Sequence, residues 1–284
     1  MSAGAVTVHP RLSLNQATIK HASLAEALDV TASAGYTAIG LWREPVAEVG
    51  LDAAVRLVSA SGLRVSSLCR GGFFTAAEGA ERRAAIDDNR RAVDEAAALG
   101  APALVLVAGG LPAGSRDLIG ARDRVQDALA ELAPAALDAG VQLAIEPLHP
   151  MYASDRAVVS TLGQALDLAA PFAPAAVGVV IDTFHVWWDP EVLPLIARAG
   201  AEGRIASYQV CDWATPLPAD VLLARHHVGD GVIDFAEPTR AVAAAGYTGD
   251  VEVEIFNQAI WDTAFATVAD RVAASFAEHV APHL

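Results

Sequence analysis

The chain has 284 residues, 54% hydrophobic and 19% charged, with a formal net charge of −15. That balance excludes a disordered chain, and the acidic surplus excludes the clustered Lys and Arg with which proteins grip a phosphate backbone, so no nucleic-acid partner is expected. No apolar run reaches the roughly 20 residues that cross a bilayer, so no membrane partner is expected either. The start "MSAGAVTVHPRLSLNQ" lacks a charged segment followed by an apolar one, and Cys69 and Cys211 make no disulfide framework. The expected location is the cytoplasm.

One pattern recurs eight times along the chain: a short β-branched run, a loop with polar residues, and a longer Ala/Leu-rich stretch with helical spacing. The predicted strands are "RLSLNQ" (11–16), "AIGLW" (38–42), "RVSSLC" (64–69), "ALVLVA" (103–108), "VQLAIE" (141–146), "VGVVID" (177–182), "IASYQV" (205–210) and "VEVEIF" (251–256). Helical stretches such as "SLAEALDVTASAG" and "AAIDDNRRAVDEAAALG" lie between them. Gly35, Gly62, Gly100, Gly140, Gly200 and Gly246 end several of these, as left-handed C-caps require. The spacing leaves room for a helical crossover between parallel neighbours. Eight such units predict an α/β fold, a single-domain (β/α)8 barrel over 1–284. The rival, an open doubly wound sheet, would place a Gly-rich phosphate turn after the first strand, and "NQATIKHAS" holds none.

In such a barrel, catalytic groups come from the C-terminal ends of the strands. Strand five ends on Glu146, strand six on Asp182 and strand eight near Glu254, while strand seven contributes Gln209. Alternation places each on the same face as the residue two positions before it: Ala144, Val180, Ser207 and Glu252. If that face points inward, four oxygen donors converge. A lone acid at a strand end reads equally well as a helix cap or a loop salt bridge, but four at equivalent ends of consecutive strands are harder to explain separately. Three carboxylates sharing a poorly solvated pocket need a cation or protons to offset their repulsion. One divalent metal ion is therefore expected. Oxygen donors favour a hard ion, Mn²⁺ first, with Mg²⁺, Co²⁺ or Zn²⁺ as alternatives. Glu252, lower in the barrel, is expected to pair with an arginine there.

The pieces "LAIEP", "VVIDTFH", "RHHVGDGVIDF" and "GYTGDVEVEIF" resemble the xylose-isomerase-like TIM barrel superfamily of sugar-phosphate isomerases/epimerases, ketose 3-epimerases and related dehydratases, over essentially the whole chain. The resemblance implies Glu146, Asp182, Gln209 and Glu254 as metal ligands, the two glutamates as proton-moving catalytic groups, and His185 and Arg225 as holders of a substrate oxygen. Gln209 departs from the histidine of the epimerases and resembles the dehydratase branches. The segments "EPLHPMYASDR" and "FHVWWDPE" are also similar to the large subunits of bacterial C-glycoside deglycosidases, which act by deprotonation and elimination beside a small β-sandwich subunit. The implied activity is proton abstraction next to a sugar carbonyl, giving isomerisation or epimerisation, with a lyase outcome as the alternative.

Other residues fall near the same mouth. His149 follows Glu146 by three, as His185 follows Asp182, and is a candidate acid or base. His226 and His227 flank the Gly-Asp-Gly loop, and His227 is a candidate substrate contact. Of Trp187 and Trp188, one is expected to pack and the other to offer a flat face to a sugar ring. Trp42, Arg43, Arg70, Phe73, Phe74 and Trp213 also follow strand ends, which suits a substrate larger than a triose: a sugar or a glycoside. The aromatic loops could instead support a homo-oligomer or a complex with a small partner subunit. The trinuclear zinc site of endonuclease IV, in the same superfamily, needs more histidines than these eight, two of which, His279 and His283, lie in the tail. A catalytically idle barrel acting as a binding subunit is the remaining alternative.

Overall fold

The computed structural model describes residues 7–77 and 79–284. Eight parallel strands close into a barrel: β1 (Leu12–Asn15), β2 (Ala38–Trp42), β3 (Arg64–Gly72), β4 (Ala103–Val107), β5 (Gln142–Glu146), β6 (Val177–Asp182), β7 (Ile205–Val210) and β8 (Val251–Val253). Neighbours follow chain order, and β8 pairs with β1 through Leu12↔Val251 to close the ring. This is the (β/α)8 barrel that the repeat predicts. The β-branched run of β6 is buried along its whole length, as a parallel strand covered on both faces requires. Among the described residues, no helix is long and apolar enough to cross a membrane.

Two apolar layers form. The larger lies between the barrel and its helices. The smaller, Cys69, Ala103, Val105, Ala144 and Val180, fills the barrel interior. Ala144 and Val180 therefore point inward, and the pleat carries Glu146 and Asp182 to the same face two residues later. The register sets Asp182 opposite Gln209, and Gln209 opposite Glu252.

The structure revises three details. β8 ends at Val253 rather than at residue 256, because Thr18 takes over the next backbone groups: its hydroxyl donates to the Val253 carbonyl (2.9 Å) and accepts from the Ile255 N–H (2.9 Å). β3 continues past Cys69 to Gly72, where the Asn89 amide accepts from the Gly72 N–H (2.6 Å) and donates to its carbonyl (2.8 Å). Gly200 is not a cap: the helix Val192–Ala201 runs through it, and Gly203 takes the left-handed conformation (φ 65°). A Cβ at Gly200 would lie 2.5 Å from the Ala245 Cβ, so its smallness serves close packing between helices.

Candidate metal centre and active site

Glu146, Asp182, Gln209 and Glu254 are each 5% exposed or less, at the C-terminal end of the barrel. Burial pushes Glu146 well above the usual carboxylate range, reinforced by the Glu254 and Asp182 charges. Burial likewise raises Glu254, to about 8, and Asp182, although Arg225 opposes both shifts. The Gln209 Oε1 is buried with no hydrogen-bond partner among the described residues. An orphaned acceptor of this kind costs stability unless something fills its lone pair. The donor set therefore fits a hard divalent cation. Glu252 lies deeper, and the expected arginine partner is not there: its Oε2 accepts from the Asn15 side-chain amide (2.9 Å).

One cation already reaches this cluster. The Arg225 guanidinium donates from Nη1 to Asp182 Oδ2 (2.8 Å) and lies 3.3 Å from Glu254 Oε2. Burial opposes its charge, but the carboxylates outweigh burial and keep it protonated. One guanidinium compensates only one of three carboxylates. Arg225 reaches this depth because a short ribbon pairs Arg225–His226 with Asp212–Trp213. The fully buried Asp212 carboxylate anchors the ribbon and its loop by accepting backbone N–H groups of Trp213 (2.8 Å), Gly229 (2.9 Å), Gly231 (2.9 Å) and Ile233 (3.0 Å). The Gly-Asp-Gly loop thus acts as scaffold: Asp230 faces out to pair with Arg271 (2.6 Å).

Glu146, Asp182 and His185 form a buried cluster whose ligand atoms lie within 4.8 Å of one another and which could hold a metal ion. The hydrogen bonds assign the histidine a different part. The His149 backbone N–H donates to His185 Nδ1 (3.1 Å), so Nδ1 keeps its lone pair and the ring proton sits on Nε2. Burial holds this imidazole well below its ordinary pKa, hence neutral. Nε2–H then lies 3.0 Å from Arg225 Nη2, a second donor, and 3.9 Å from carboxylate oxygens of Glu146 and Asp182. Metal ligation through Nε2 would need the opposite tautomer, which would set Nδ1–H against the His149 N–H. Either tautomer of the neutral ring leaves one donor–donor contact, with the His149 N–H or with Arg225 Nη2–H, and with the proton on Nε2 the second contact is where an acceptor oxygen fits.

These groups open into a cavity of about 470 Å³ lined by Glu146, His185, Arg225 and Glu254 at its base. Several residues read from the sequence as contacts do not line it. The His149 ring packs against Trp188 and Trp213 (centroids 5.5 and 5.0 Å), and its Nδ1 accepts from the Met151 N–H. Trp188 donates its indole N–H to the His185 carbonyl (2.8 Å), and Trp187 packs edge-on against Trp213 (5.4 Å). Both tryptophans brace the His185 turn from behind, and neither presents a face to the cavity. His227 is half-buried outside the lining, and burial pushes its pKa down to about 4. Arg43 turns away to pair with Glu95 (2.6 Å) and Asp88 (2.8 Å). The aromatic wall is Trp42, Phe73, Tyr152 and Phe256, with Lys20, Arg70 and Arg156 among the charged lining. Tyr152 and Arg156 belong to the "PLHPMYASDR" segment, which from sequence reads as a partner contact. An aromatic six residues and a base ten residues past the end of β5 are the available signal. Gln16 and Lys20 carried none.

Compared with known families, residues 28–275 match the one described as xylose isomerase-like TIM barrel. No curated protein matches the chain by sequence. Among solved structures, a protein from Sinorhizobium meliloti 1021 is 50% identical, over 95% of this chain and 98% of that one, with TM-score 0.92. The IolI protein with a bound zinc atom is 20% identical (96% and 99% covered, TM-score 0.83), and an L-ribulose 3-epimerase is 21% identical (97% and 96% covered, TM-score 0.77). These last two share the fold.

Proposed function

The chain belongs to the xylose isomerase-like TIM barrel family, and from that premise we propose that it is a divalent-metal-dependent enzyme that removes a proton beside a sugar carbonyl, giving isomerisation or epimerisation. The observation that carries this reading is three buried, mutually repelling carboxylates together with Gln209, in register beside Asp182, whose amide oxygen has no partner among the described residues. Glu146, Asp182, Gln209 and Glu254 would hold the ion, with Mn²⁺ the best match to four oxygen donors. The zinc of the IolI structure and the activity in the ribulose epimerase's name point the same way. The chemistry such an ion supplies is Lewis-acid polarisation of sugar oxygens.

The chain's own groups do the rest. Glu146 and Glu254 come from β5 and the end of β8, with two strands between them on the ring, and both line the cavity. They can therefore hold and return a proton from different sides of one carbon, as epimerisation requires. His185 Nε2–H and Arg225 Nη2–H converge on a single sugar oxygen and orient it. Trp42, Leu148, Phe256 and Cys69 give the base of the cavity apolar walls that limit water and strengthen these interactions.

Incubating metal-reconstituted protein with ketoses in deuterium oxide tests the proposal. Deuterium should enter the carbon beside the carbonyl, stop on exhaustive chelation, and be lost in Glu146→Gln and Glu254→Gln. Exchange that survives chelation would end the metal-dependent reading. The same abstraction feeds elimination where a leaving group stands beside the deprotonated carbon, and release of an aglycone from a 3-oxo-glycoside would identify the lyase instead.

A further inference from the structure

Lys20, Arg70, Arg156 and Arg225 are four of the chain's 19 basic residues, and all four line one cavity. Arg225 is spent on the carboxylates at the base. The other three stand higher, on the loop after β1, on the extended end of β3 and on the loop after β5, where Lys20 and Arg156 are exposed and Arg70 is half-buried. Away from the cavity, several arginines of this acidic protein are paired closely with carboxylates, such as Arg64 with Asp250 (2.7 Å), Arg198 with Glu202 (2.7 Å) and Arg271 with Asp230 (2.6 Å).

The three cations at the mouth lie over rings, with Glu44 and Glu48 in the same lining. Arg70 Cζ lies 4.6 Å from the Phe73 centroid, Lys20 Nζ 4.5 Å from that of Trp261, and Arg156 Cζ 5.8 Å from that of Tyr152. The nearest carboxylate oxygen to Arg70 is 3.8 Å away, on Glu44, whose side chain is 61% exposed. An aromatic face holds a cation in place without cancelling its net charge. The Phe73 platform is built at a cost: its backbone is left-handed (φ 61°), a conformation non-glycine residues seldom adopt. Gly109 lets that loop approach, since a Cβ there would lie 3.1 Å from the Phe73 Cα.

We infer that the sugar bound here carries an acidic group, a carboxylate or a phosphate, received at the cavity mouth by Arg70 on the face of Phe73 with Lys20 and Arg156 around it. This rests on the proton-abstraction reading for the position of the sugar carbonyl, and it adds the class of substrate.

Calorimetric binding to the metal-reconstituted full chain tests it, with D-fructose as the neutral probe, D-fructuronate as the carboxylate and D-ribulose 5-phosphate as the phosphate. At least one acidic probe should bind about tenfold or more tighter than D-fructose at low ionic strength, with the advantage shrinking as salt is added. Arg70→Gln and Phe73→Gly should each reduce that advantage, measured as the ratio of acidic-probe to D-fructose affinity in the same variant. Phe73→Gly relieves the left-handed backbone and so keeps the chain folded. The exposed substitutions Lys20→Gln and Arg156→Gln provide a second pair whose folding is not at issue. Whichever acidic probe wins assigns the group. Equal binding of all three probes, or an advantage untouched by every variant, overturns the inference. Deuterium exchange separates the two readings. Metal-dependent exchange into D-fructose without acidic preference removes only the acidic substrate, whereas Arg70-dependent binding of acidic probes with no exchange into any ketose removes only the proton abstraction.

Discussion

Removing the ion and raising the pH together should weaken the folded state, and restoring the ion should abolish the effect. Burial raises Glu254 from an ordinary 4.5 to about 8 in the fold, while the unfolded chain releases that proton near 4.5. Between those values the folded state holds a proton that the unfolded state has lost. Stability therefore falls as pH rises through this interval, and the loss is complete above pH 8. Buried histidines act in the opposite direction. His227, pushed down to about 4, and His185, also lowered by burial, are neutral in the fold and charged in the unfolded chain below about 6.5, so they remove stability only as pH drops under that value. The interval from 6.5 to 8 thus isolates the buried carboxylates, Glu254 with the likewise raised Glu146, from the histidines. At 1.36 kcal/mol per unit over about 1.5 units, the metal-free protein should lose about 2 kcal/mol, or about 4 °C in Tm for a chain of this size. Denaturant unfolding in EDTA at several pH values across that window measures it. Wild type should show the slope, Glu254→Gln should show a shallower one because Glu146 is raised as well, and saturating Mn²⁺ should flatten wild type. A pH-independent metal-free stability, or an equal slope in Glu254→Gln, would refute the reasoning.

Three other substitutions probe separate parts of the structure. Gln209→Leu removes a buried acceptor that has no partner, so metal-free stability should hold or rise by about 1 kcal/mol while the dissociation constant for Mn²⁺, read by titration calorimetry, rises tenfold or more. Asp212→Asn strips the charge from an acceptor of four backbone N–H groups. It should cost about 3 kcal/mol in urea unfolding and lower kcat at least tenfold through loss of Arg225 positioning; unchanged kcat would remove the scaffold role. Gly200→Ala forces a methyl against Ala245 and should cost about 1–3 kcal/mol in the same assay without changing kcat/KM.

Much of the fold was legible because periodicity carried it. The β-branched run ending on Asp182 is a buried strand, and pleat alternation correctly placed Ala144 with Glu146 and Val180 with Asp182 on the inner face. The strand-end rule picks out Glu146, Asp182, Gln209 and Glu254, all buried, because their positions depend only on local register. What sequence could not show was which mouth residues turn inward, because that depends on loops whose paths are set by distant partners. One of Trp187 and Trp188 reads from sequence as a sugar platform, yet neither lines the cavity, and the indole N–H of Trp188 is taken by the His185 carbonyl. Arg70 lines the cavity only because Asn89, on another element, extends β3 by holding Gly72. Asp212 carries no motif of its own, and its importance appears only when the loop it anchors has folded over it. His149, a candidate acid or base from sequence, lies outside the cavity lining and meets His185 through its backbone N–H, a group every residue but proline possesses.

The most direct measurement is an anomalous difference map from crystals soaked in Mn²⁺. The account predicts one strong peak per chain at bonding distance from oxygens of Glu146, Asp182, Gln209 and Glu254, with His185 Nε2 outside the coordination shell. A peak ligated by His185 in place of Gln209, or no peak among these strand ends at saturating Mn²⁺, would contradict it.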